Sequence, residues 1–281
     1  MIARTRWIAF AFTILGLVAT PALPAQAGSR VLVGRPCREP DRPSLADVDH
    51  SSYDRLLQVF VDESGLVDYS RWKASAHDLS ALDEYLTRAG CVDLRKPAPS
   101  AARLAYWINL YNALTIRGIL REYPTSSIRN HTSRFGGYNI WKDLLIWVDG
   151  RTLSLEEIEH TILRKMGEPR VHLALVCASR GCPPLWNRAY RAEGLDEQLT
   201  ANGRRFLARP ENFRADGASR EVSLSQIFEW YGTDFAASSA GLLQAIAPML
   251  PSGAEWVTVP GVRVRYLDYD WSLNDQRPNR S

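Results

Sequence analysis

His172–Leu185 reads H-L-A-L-V-C-A-S-R-G-C-P-P-L, and this stretch indicates how the chain is built. The run from Val171 to Ala178 is almost wholly apolar, and polar residues with Gly and Pro end it. An apolar run of this length is typical of a strand buried on both faces. The loop at the carboxyl end of such a strand is where α/β proteins tend to place chemistry. We therefore predict a central strand, Val171–Cys177, with a functional loop after it.

Length and composition favour one globular domain. The 281 residues are 46% apolar and include 9 Trp and 11 Tyr, which is ample for a packed core and excludes a disordered chain. The predicted fold class is α+β: a mostly helical single domain around a small sheet with a central buried strand. This domain is placed at residues 51–275, after an extended leader at 28–50 that is rich in Pro and Arg. Residues 276–281 are polar and predict a frayed tail.

The N-terminus has the pattern of a secretory signal peptide. Arg4 and Arg6 precede the uncharged apolar run Trp7–Val18, and Ala25-Gln26-Ala27 is an A-x-A cleavage site. We expect a signal peptide at 1–27, cleavage after Ala27, and a mature protein in the periplasm or outside the cell. An uncleaved anchor is the alternative, although the apolar run is short for a membrane span.

The charge balance argues against two classes of partner. Removal of Arg4 and Arg6 leaves 32 basic and 31 acidic side chains, so the mature chain has no single-sign field. Nucleic acid is therefore not an expected partner, and neither is a membrane beyond the signal peptide. The expected ligand is an unknown small molecule, peptide or glycan, and no cofactor is expected.

The central helix is predicted at Ala101–Glu122. Its stretch Leu104–Ile116 carries no charge, so the helix should be buried on most sides. Asn109 and Asn112 lie three residues apart, on one face of this apolar stretch. Buried amides need hydrogen-bond partners. Either both fix the core by bonding to the main chain, which we favour for at least one of them, or they project into a site and orient a ligand or a catalytic group.

Other elements follow from shorter patterns. Helical spacing indicates helices near residues 56–61, 80–89, 195–207, 223–231 and 236–248. Residues 144–148 and 152–153 flank Asp149-Gly150 and predict a hairpin. Ser154 with Glu157 forms a capping box that opens a helix carrying Glu159 and His160. Residues 262–267 alternate and predict a strand.

Five motifs carry a resemblance to a known family. They are Y-W-I-N-L-Y-N-A-L-T at 106–115, S-L-E-E-I-E-H-T-I-L-R at 154–164, V-H-L-A-L-V-C-A-S-R-G-C-P-P-L at 171–185, I-F-E-W-Y-G-T-D-F at 227–235 and Y-L-D-Y-D-W-S-L-N-D at 266–275. In this order they resemble domain-of-unknown-function family 547, over roughly residues 50–275. The resemblance implies one domain, often exported in bacteria. It implies no catalytic assignment.

The four cysteines form an even set in a chain bound for an oxidising compartment, and four cysteines allow three pairings. Cys37 and Cys91 lie outside the family-like motifs. We therefore predict that they are bonded to each other, with Cα atoms within about 7 Å. Cys177 and Cys182 are close enough in sequence to bridge, although their spacing is not the C-x-x-C of thioredoxin-like sites.

The first functional hypothesis is a thiol-dependent hydrolase or acyl transferase. Cys177 would be the nucleophile, His160 its base, and Glu159 or Asn109 the group that orients the imidazole, as in papain-like enzymes. His172 is a poor base if the strand is regular, because five residues at about 3.3 Å each place it about 16 Å from Cys177. A bond between Cys177 and Cys182 would remove the nucleophile.

The alternative is a non-enzymatic structural or ligand-binding exported domain, in which Cys177 is simply a small buried residue. Binding residues would then be Asn112, His172, Ser179, Arg180 and Cys182. Arg180 suits a carboxylate or phosphate, whereas Asp234, Asp268 and Asp270 are candidates for pairing with arginines such as Arg170. Metal binding is the least favoured hypothesis, since the spacing fits no standard zinc pattern. Either function places a pocket at the carboxyl end of the predicted strand, lined by Asn109, Asn112, His160, Cys177, Ser179 and Arg180.

Overall fold

The computed structural model describes residues 30–133 and 137–277. The predicted signal peptide at 1–27 and the end of the predicted tail, from residue 278, lie outside the described residues. Within the described part, no helix is long and apolar enough to cross a membrane. The described residues form an α+β fold, which confirms the predicted class.

The elements are as follows. The helices are α1 (Ser51–Phe60), α2 (Tyr69–Ala74), α3 (Ala76–Gly90), α4 (Ser100–Glu122), α5 (Ile140–Asp143), α6 (Leu155–Glu157), α7 (Leu195–Leu207), α8 (Ile227–Phe235) and α9 (Ser239–Ile246). The strands are β1 (Val31–Val33), β2 (Leu144–Val148), β3 (Arg151–Ser154), β4 (Phe213–Asp216), β5 (Glu221–Ser225) and β6 (Arg263–Leu267). A π-helix spans Ile158–Leu163, and 3-10 turns span Leu45–Asp47, Ile128–His131, Arg164–Met166, Pro169–Leu173, Ala247–Met249 and Glu255–Thr258.

Helix α4 is the centre of the larger core. Every residue from Leu104 to Ile116 is buried, as the uncharged stretch predicts. The helix packs against α2 and α3 on one side and the π-helix on another. It ends at Glu122 because Tyr123 precedes a proline and takes up an extended conformation. The prediction of a central buried helix is confirmed within one residue at its start.

Two three-stranded sheets flank the helices, where the sequence predicts one small sheet. In the first, β1 pairs parallel to β2, and β2 and β3 form the predicted hairpin. In the second, β5 lies between β4, antiparallel to it, and β6, parallel to it. The leader is thus part of the fold through β1. It is also tied to the end of α3, because Cys37 and Cys91 lie at disulfide distance with Cα atoms 5.0 Å apart, as predicted.

The predicted strand Val171–Cys177 is wrong. Pro169–Leu173 is a 3-10 helix, which begins with the Glu168 side chain accepting a hydrogen bond from the Arg170 N–H. Proline suits the first position of a helical turn because its φ is already helical and it has no N–H to satisfy. The segment that follows has no strand partner, although all residues from Val171 to Val176 are buried. A short apolar run indicates burial, and it does not by itself distinguish a strand from a buried turn.

The predicted helix at 223–231 is also partly wrong. Residues Glu221–Ser225 form β5, and helix α8 begins only at Ile227. Val222 and Leu224 are buried while Glu221 and Ser223 are partly exposed, which is the alternation of a strand. The other predicted elements are confirmed, including the capping box of Ser154 with Glu157 and helix α7 at its predicted bounds.

The 3-10 helix Pro169–Leu173 joins two hydrophobic cores. Val171 belongs to the larger core around α4, whereas Leu173 belongs to the smaller core formed by the second sheet with α7, α8 and α9. Next in sequence comes the loop 174–185, which therefore lies at the boundary between the two cores.

The C-terminal segment, residues 269–275, is laid against this loop. The N–H groups of Arg180 and Gly181 donate to the carbonyls of Ser272 and Asp270, at 2.8 and 2.9 Å. Asn274 N–H donates to the Ala178 carbonyl at 3.2 Å. The end of the chain thus holds the loop in place.

Candidate functional site

A half-open cavity of about 340 Å³ lies beside the loop 174–185. Its walls come from α4, α5, the π-helix, the loop, α8 and the C-terminal segment. Six aromatic side chains contribute to them: Tyr111, Trp141, Trp230, Tyr231, Tyr269 and Trp271. The indole of Trp230 stacks on that of Trp271 with ring centroids 5.7 Å apart, and Tyr269 lies 4.5 Å from Trp271. A concave cavity with mostly apolar walls and a few polar groups is the usual form of a small-molecule site.

The π-helix Ile158–Leu163 supplies two of the polar groups. The capping box of Ser154 with Glu157 fixes the start of α6, and the wider π turn follows directly. π turns are rare and occur frequently at functional sites. Here the turn carries Glu159 and His160, both of which line the cavity. Glu159 is partly buried and His160 is exposed.

The carboxylate of Glu159 is held by hydrogen bonds from two tyrosines. The hydroxyls of Tyr111 and Tyr231 each donate to one carboxylate oxygen, both at 2.8 Å. Burial raises the pKa of both tyrosines, so both remain protonated donors. No basic group of the described residues lies within 4.0 Å of this carboxylate, whereas exposed Glu156 pairs with Lys142 at 3.5 Å.

His172 forms the third polar feature of the cavity. Its Nε2 lies 2.8 Å from an oxygen of Asp234, and its ring stacks on Tyr231 with centroids 4.0 Å apart. Two hydrogen bonds from Arg164, each 2.7 Å, together with the bond to His172, lower the pKa of Asp234 to about 2. Burial lowers the pKa of His172, so the ring is neutral at pH 7. The ionised Asp234 can only accept, so we assign the ring proton to Nε2, which leaves Nδ1 as an acceptor.

Cys177 and Cys182 lie on the wall of the same cavity, at disulfide distance from each other, with Cα atoms 6.2 Å apart. The Sγ of Cys177 is 2.8 Å from the Tyr269 hydroxyl and 3.3 Å from the Ser179 hydroxyl. The N–H of Cys177 donates to the Sγ of Cys182 at 2.8 Å. In this paired form Cys177 has no free thiol, and the hypothesis of a thiol nucleophile lacks its reactive group.

Asn109 and Asn112 are structural. Asn109 exchanges two hydrogen bonds with the main chain of Tyr190, at 2.8 and 2.9 Å. Asn112 donates to the Ala174 carbonyl at 2.9 Å and accepts from the Val176 N–H at 3.0 Å. Both amides are hydrogen-bonded to main-chain groups, and neither lines the cavity. The sequence predicts this structural role for at least one of them. Asn109 is therefore not placed to orient His160.

The remaining predicted residues lie in different places: one lines the candidate site, one is buried behind its wall and one lines another cavity. His160 lines the candidate site and contacts Arg164, with Nδ1 3.2 Å from a guanidinium nitrogen. Ser179 is buried behind the wall and bonds to Tyr269 at 2.8 Å. Arg180 donates to the Asp275 carbonyl at 2.8 Å and lines a separate, more polar cavity of about 380 Å³. Of the six residues predicted to line the pocket, only His160 and Cys177 do so.

Sequence reasoning missed Tyr111, Arg164 and the aromatic wall. The sequence does indicate that Tyr111 needs a hydrogen-bond partner, because its hydroxyl lies within an uncharged, buried helix. Asp234 was expected to pair with an arginine, and it does, although with Arg164 and not Arg170. Arg170 instead forms salt bridges with Glu168 and Asp196, each at 2.7 Å. Among the described residues, no cluster of three or more His, Cys, Asp or Glu side chains is arranged to hold a metal ion.

Comparison with known families matches residues 96–207 to the family described as "Protein of unknown function, DUF547", which confirms the resemblance carried by the motifs. No curated protein and no solved structure matches the chain. The matched segment includes Tyr111, Glu159, His172 and both cysteines of the cavity. The aromatic residues of α8 and of the C-terminal segment lie beyond it.

Proposed function

We propose that this chain, whose residues 96–207 match the DUF547 family, binds a small organic molecule that carries a cationic nitrogen, in the cavity beside Glu159. The observation that carries the proposal is the carboxylate of Glu159, which lines an aromatic cavity and has no basic partner among the described residues. Glu159 is partly removed from water, and Arg164 acts on it only from beyond 4.0 Å, so a positive charge placed next to the carboxylate would stabilise it. A bound cation would supply the missing partner.

The two tyrosines prepare Glu159 for such a ligand. Each carboxylate oxygen accepts one hydroxyl, from Tyr111 or from Tyr231, which fixes the orientation of the group. A carboxylate offers about four acceptor positions, so about two remain for ligand N–H groups. Nδ1 of His172 is a further acceptor near the same wall. The polar groups of the inner wall therefore favour a ligand that donates hydrogen bonds.

The aromatic residues of the cavity favour the same class of ligand. The rings of Trp230, Tyr269 and Trp271 cluster at one side of the cavity, and cations are attracted to the faces of aromatic rings. A volume of about 340 Å³ fits a small molecule or a single side chain of a peptide. Primary amines and guanidines combine both interactions, since they carry charge and donate hydrogen bonds.

Phenethylamine and its uncharged analogue phenethyl alcohol test the proposal. We expect phenethylamine to bind with at least tenfold higher affinity, measured by calorimetry and by tryptophan fluorescence at low salt. Glu159→Gln should remove most of this preference, because a hydrogen bond to a charged group contributes about 1.5–3 kcal/mol, or about 10- to 100-fold in affinity.

Glu156→Gln is the matched control, since Glu156 lines the same cavity but is exposed and already paired with Lys142. It should leave the preference for the amine nearly unchanged. Equal binding of amine and alcohol to the unmodified protein would refute the proposal, and so would equal losses in the two variants.

A second candidate function is thiol-dependent hydrolysis or acyl transfer. It is favoured because Cys177 and His172 line the same cavity and Asp234 is hydrogen-bonded to His172. A regular strand would place His172 about 16 Å from Cys177, but the chain does not form a strand there. This activity requires reduction of the bond between Cys177 and Cys182.

Mild reduction and a thiol-reactive acyl probe test this second candidate. The probe should label Cys177, and His172→Gln should slow the labelling at least tenfold. If His172→Gln leaves the labelling rate unchanged, His172 is not the base.

We further propose that the chain is exported. The order of basic residues, apolar run and A-x-A site at 1–27 supports a cleaved signal peptide. Two cysteine pairs at disulfide distance are compatible with an oxidising compartment.

A further inference from the structure

We propose that the Cys177–Cys182 disulfide exchanges with low-molecular-weight thiols that enter the cavity, so that this wall is a reversible two-electron redox site. The proposal rests on one juxtaposition: two bonded sulfurs line a cavity, and hydrogen-bond donors are already directed at both of them. It does not rest on the proposed cation binding, because it concerns a different reaction at the two sulfurs, although Tyr269 contributes to both.

Access favours attack at one of the two sulfurs. Cys177 is partly exposed, whereas Cys182 is only 4% exposed. A thiolate entering the cavity therefore reaches Sγ of Cys177 more readily. Exchange requires a direct line of approach to a disulfide sulfur, so accessibility decides which sulfur reacts.

In the first step, a thiolate RS⁻ attacks Sγ of Cys177. A mixed disulfide, R–S–S–Cys177, forms as the bond between the two protein sulfurs breaks, and Cys182 leaves as a thiolate. The N–H of Cys177, which already donates to Sγ of Cys182 at 2.8 Å, stabilises this leaving group. The proton released by the incoming thiol ends on Cys182.

In the second step, another thiolate attacks the sulfur of R in the mixed disulfide. The small disulfide RSSR is released, and Cys177 leaves as a thiolate that takes up the second proton. Two RSH molecules thus lose two electrons and two protons, and the protein disulfide gains them. The reverse reaction with RSSR restores the bond between Cys177 and Cys182.

Two hydroxyls are placed to stabilise the thiolate of Cys177. Tyr269 and Ser179 lie 2.8 and 3.3 Å from its Sγ, and 2.8 Å from each other. The two hydroxyls carry two protons for these three contacts, so in the bonded form one hydroxyl donates to the other. A thiolate is a stronger acceptor than a disulfide sulfur, so both hydroxyls can donate to Cys177 once it is reduced. Burial raises the pKa of Tyr269, which keeps its hydroxyl a donor.

The second cysteine pair provides an internal comparison. Cys37 and Cys91 are also partly exposed. Their sulfurs receive no hydrogen bond from any of the residues described in the structure, and neither lines the aromatic cavity. Exposure alone would therefore predict similar reactivity for the two pairs.

The test uses the folded protein in reduced and oxidised glutathione without oxygen. Samples are quenched with acid at intervals, free thiols are alkylated, and peptides are quantified by mass spectrometry. We expect Cys177 and Cys182 to be reduced at least tenfold faster than Cys37 and Cys91, with the glutathione adduct on Cys177. Oxidised glutathione should restore the bond. Equal rates for the two pairs, or an adduct mainly on Cys182, would overturn the proposal.

Variants separate the hydroxyl effect from simple exposure. Tyr269→Phe and Ser179→Ala should each slow reduction of this pair at least threefold and leave the rate of Cys37–Cys91 unchanged. Tyr266→Phe, at an exposed tyrosine of β6, is the matched control and should change neither rate. Thermal unfolding is measured for each variant to confirm that it folds. If Tyr269→Phe does not fold, the reduction rate of Ser179→Ala tests the role of the hydroxyls. Unaltered rates in a folded Ser179→Ala and Tyr269→Phe would overturn the role of the hydroxyls.

Discussion

His172 and Asp234 are joined by a hydrogen bond of 2.8 Å although 62 residues separate them in the sequence. The bond connects the turn before the cysteine loop to helix α8, across the boundary between the two cores. Arg164 closes the arrangement from the other side with two bonds to the same carboxylate. One charged group thereby holds together three segments that line or support the cavity.

The stability contributed by Asp234 should depend on pH. The pKa of its carboxyl falls from 3.8 to about 2 on folding, so this contribution is complete above about pH 4 and is lost as the pH falls toward 2. After allowance for solvent screening, Asp234→Asn should cost about 1–2 kcal/mol at pH 7. Chemical denaturation at pH 7, 4 and 2.5 should show the difference shrinking; Asp268→Asn, at an exposed position, should show less than about 0.5 kcal/mol throughout.

His50 should destabilise the fold in mild acid. Burial lowers its pKa from 6.5 to about 4, so the unfolded chain binds a proton there that the folded chain rejects. The free energy of unfolding should therefore fall as the pH drops from 6.5 to 4, by up to about 1.4 kcal/mol per pH unit from this group. His50→Gln should flatten the slope in that window, whereas His77→Gln, at an exposed position, should not. An unchanged slope in His50→Gln would contradict the assignment.

Gly90 should tolerate no side chain. A Cβ at this position, the last of α3, would lie 1.9 Å from the carbonyl oxygen of Trp147 in β2. Gly90→Ala should therefore lower the free energy of unfolding by about 1–3 kcal/mol or more, measured by chemical denaturation. Gly217→Ala is the control, because the nearest atoms to its added Cβ are 3.8 Å away. Similar stabilities of the two variants would show that the sheet moves away freely.

Trp107 should contribute more to stability than any exposed tryptophan. It is 2% exposed on α4, and replacing a buried aromatic residue by alanine removes packing and leaves a cavity. Trp107→Ala should cost about 3–5 kcal/mol, whereas Trp230→Ala, at a residue 41% exposed, should cost less than about 1 kcal/mol. A loss below about 1 kcal/mol for Trp107→Ala would contradict the central position of the helix.

Export predicts a defined new N-terminus. N-terminal sequencing of the protein from the cell envelope or medium should begin at Gly28, because cleavage is expected after Ala27. Replacing Ala25 and Ala27 by Gln should block processing and leave the longer chain attached to the membrane fraction. Met1 retained on the unaltered protein in that fraction would indicate an anchor instead.

Helices with strong patterns were predictable from the sequence. Leu104–Ile116 lacks charge and lies at the centre of the fold, and the capping box at Ser154 opens a helix as expected. Val171–Cys177 was misassigned because apolar content reports burial, whereas a proline and a capping glutamate decide the local turn. The sequence mispredicts the end of β5 as helix because Leu224, Ile227 and Phe228 have helical spacing, and only pairing with β4 and β6 selects the strand.

The site was predictable only in part. The segment that carries Glu159, His160 and Cys177 was identified, since polar residues follow strongly apolar patterns there. The contact of His172 with Asp234 depends on how α8 packs, and no local pattern encodes it. Tertiary pairing over such separations is set by the whole fold, which explains why Asn109 and Arg180 were placed in the site incorrectly.

The position of segment 269–275 near the end of the chain determines when the cavity can form during synthesis. Chains are synthesised and exported from the N-terminus, and Tyr269 follows Cys177 by 92 residues. Among the described residues, all buried members of the larger core except Leu273 lie at or before Leu199, so most of that core can form while this segment is still on the ribosome. The cavity wall cannot, because Tyr269 and Trp271 arrive last and then fasten the loop at Arg180 and Gly181. A nascent chain released early, or one trimmed before Tyr269, would therefore keep most of the larger core without Leu273 and lack the site.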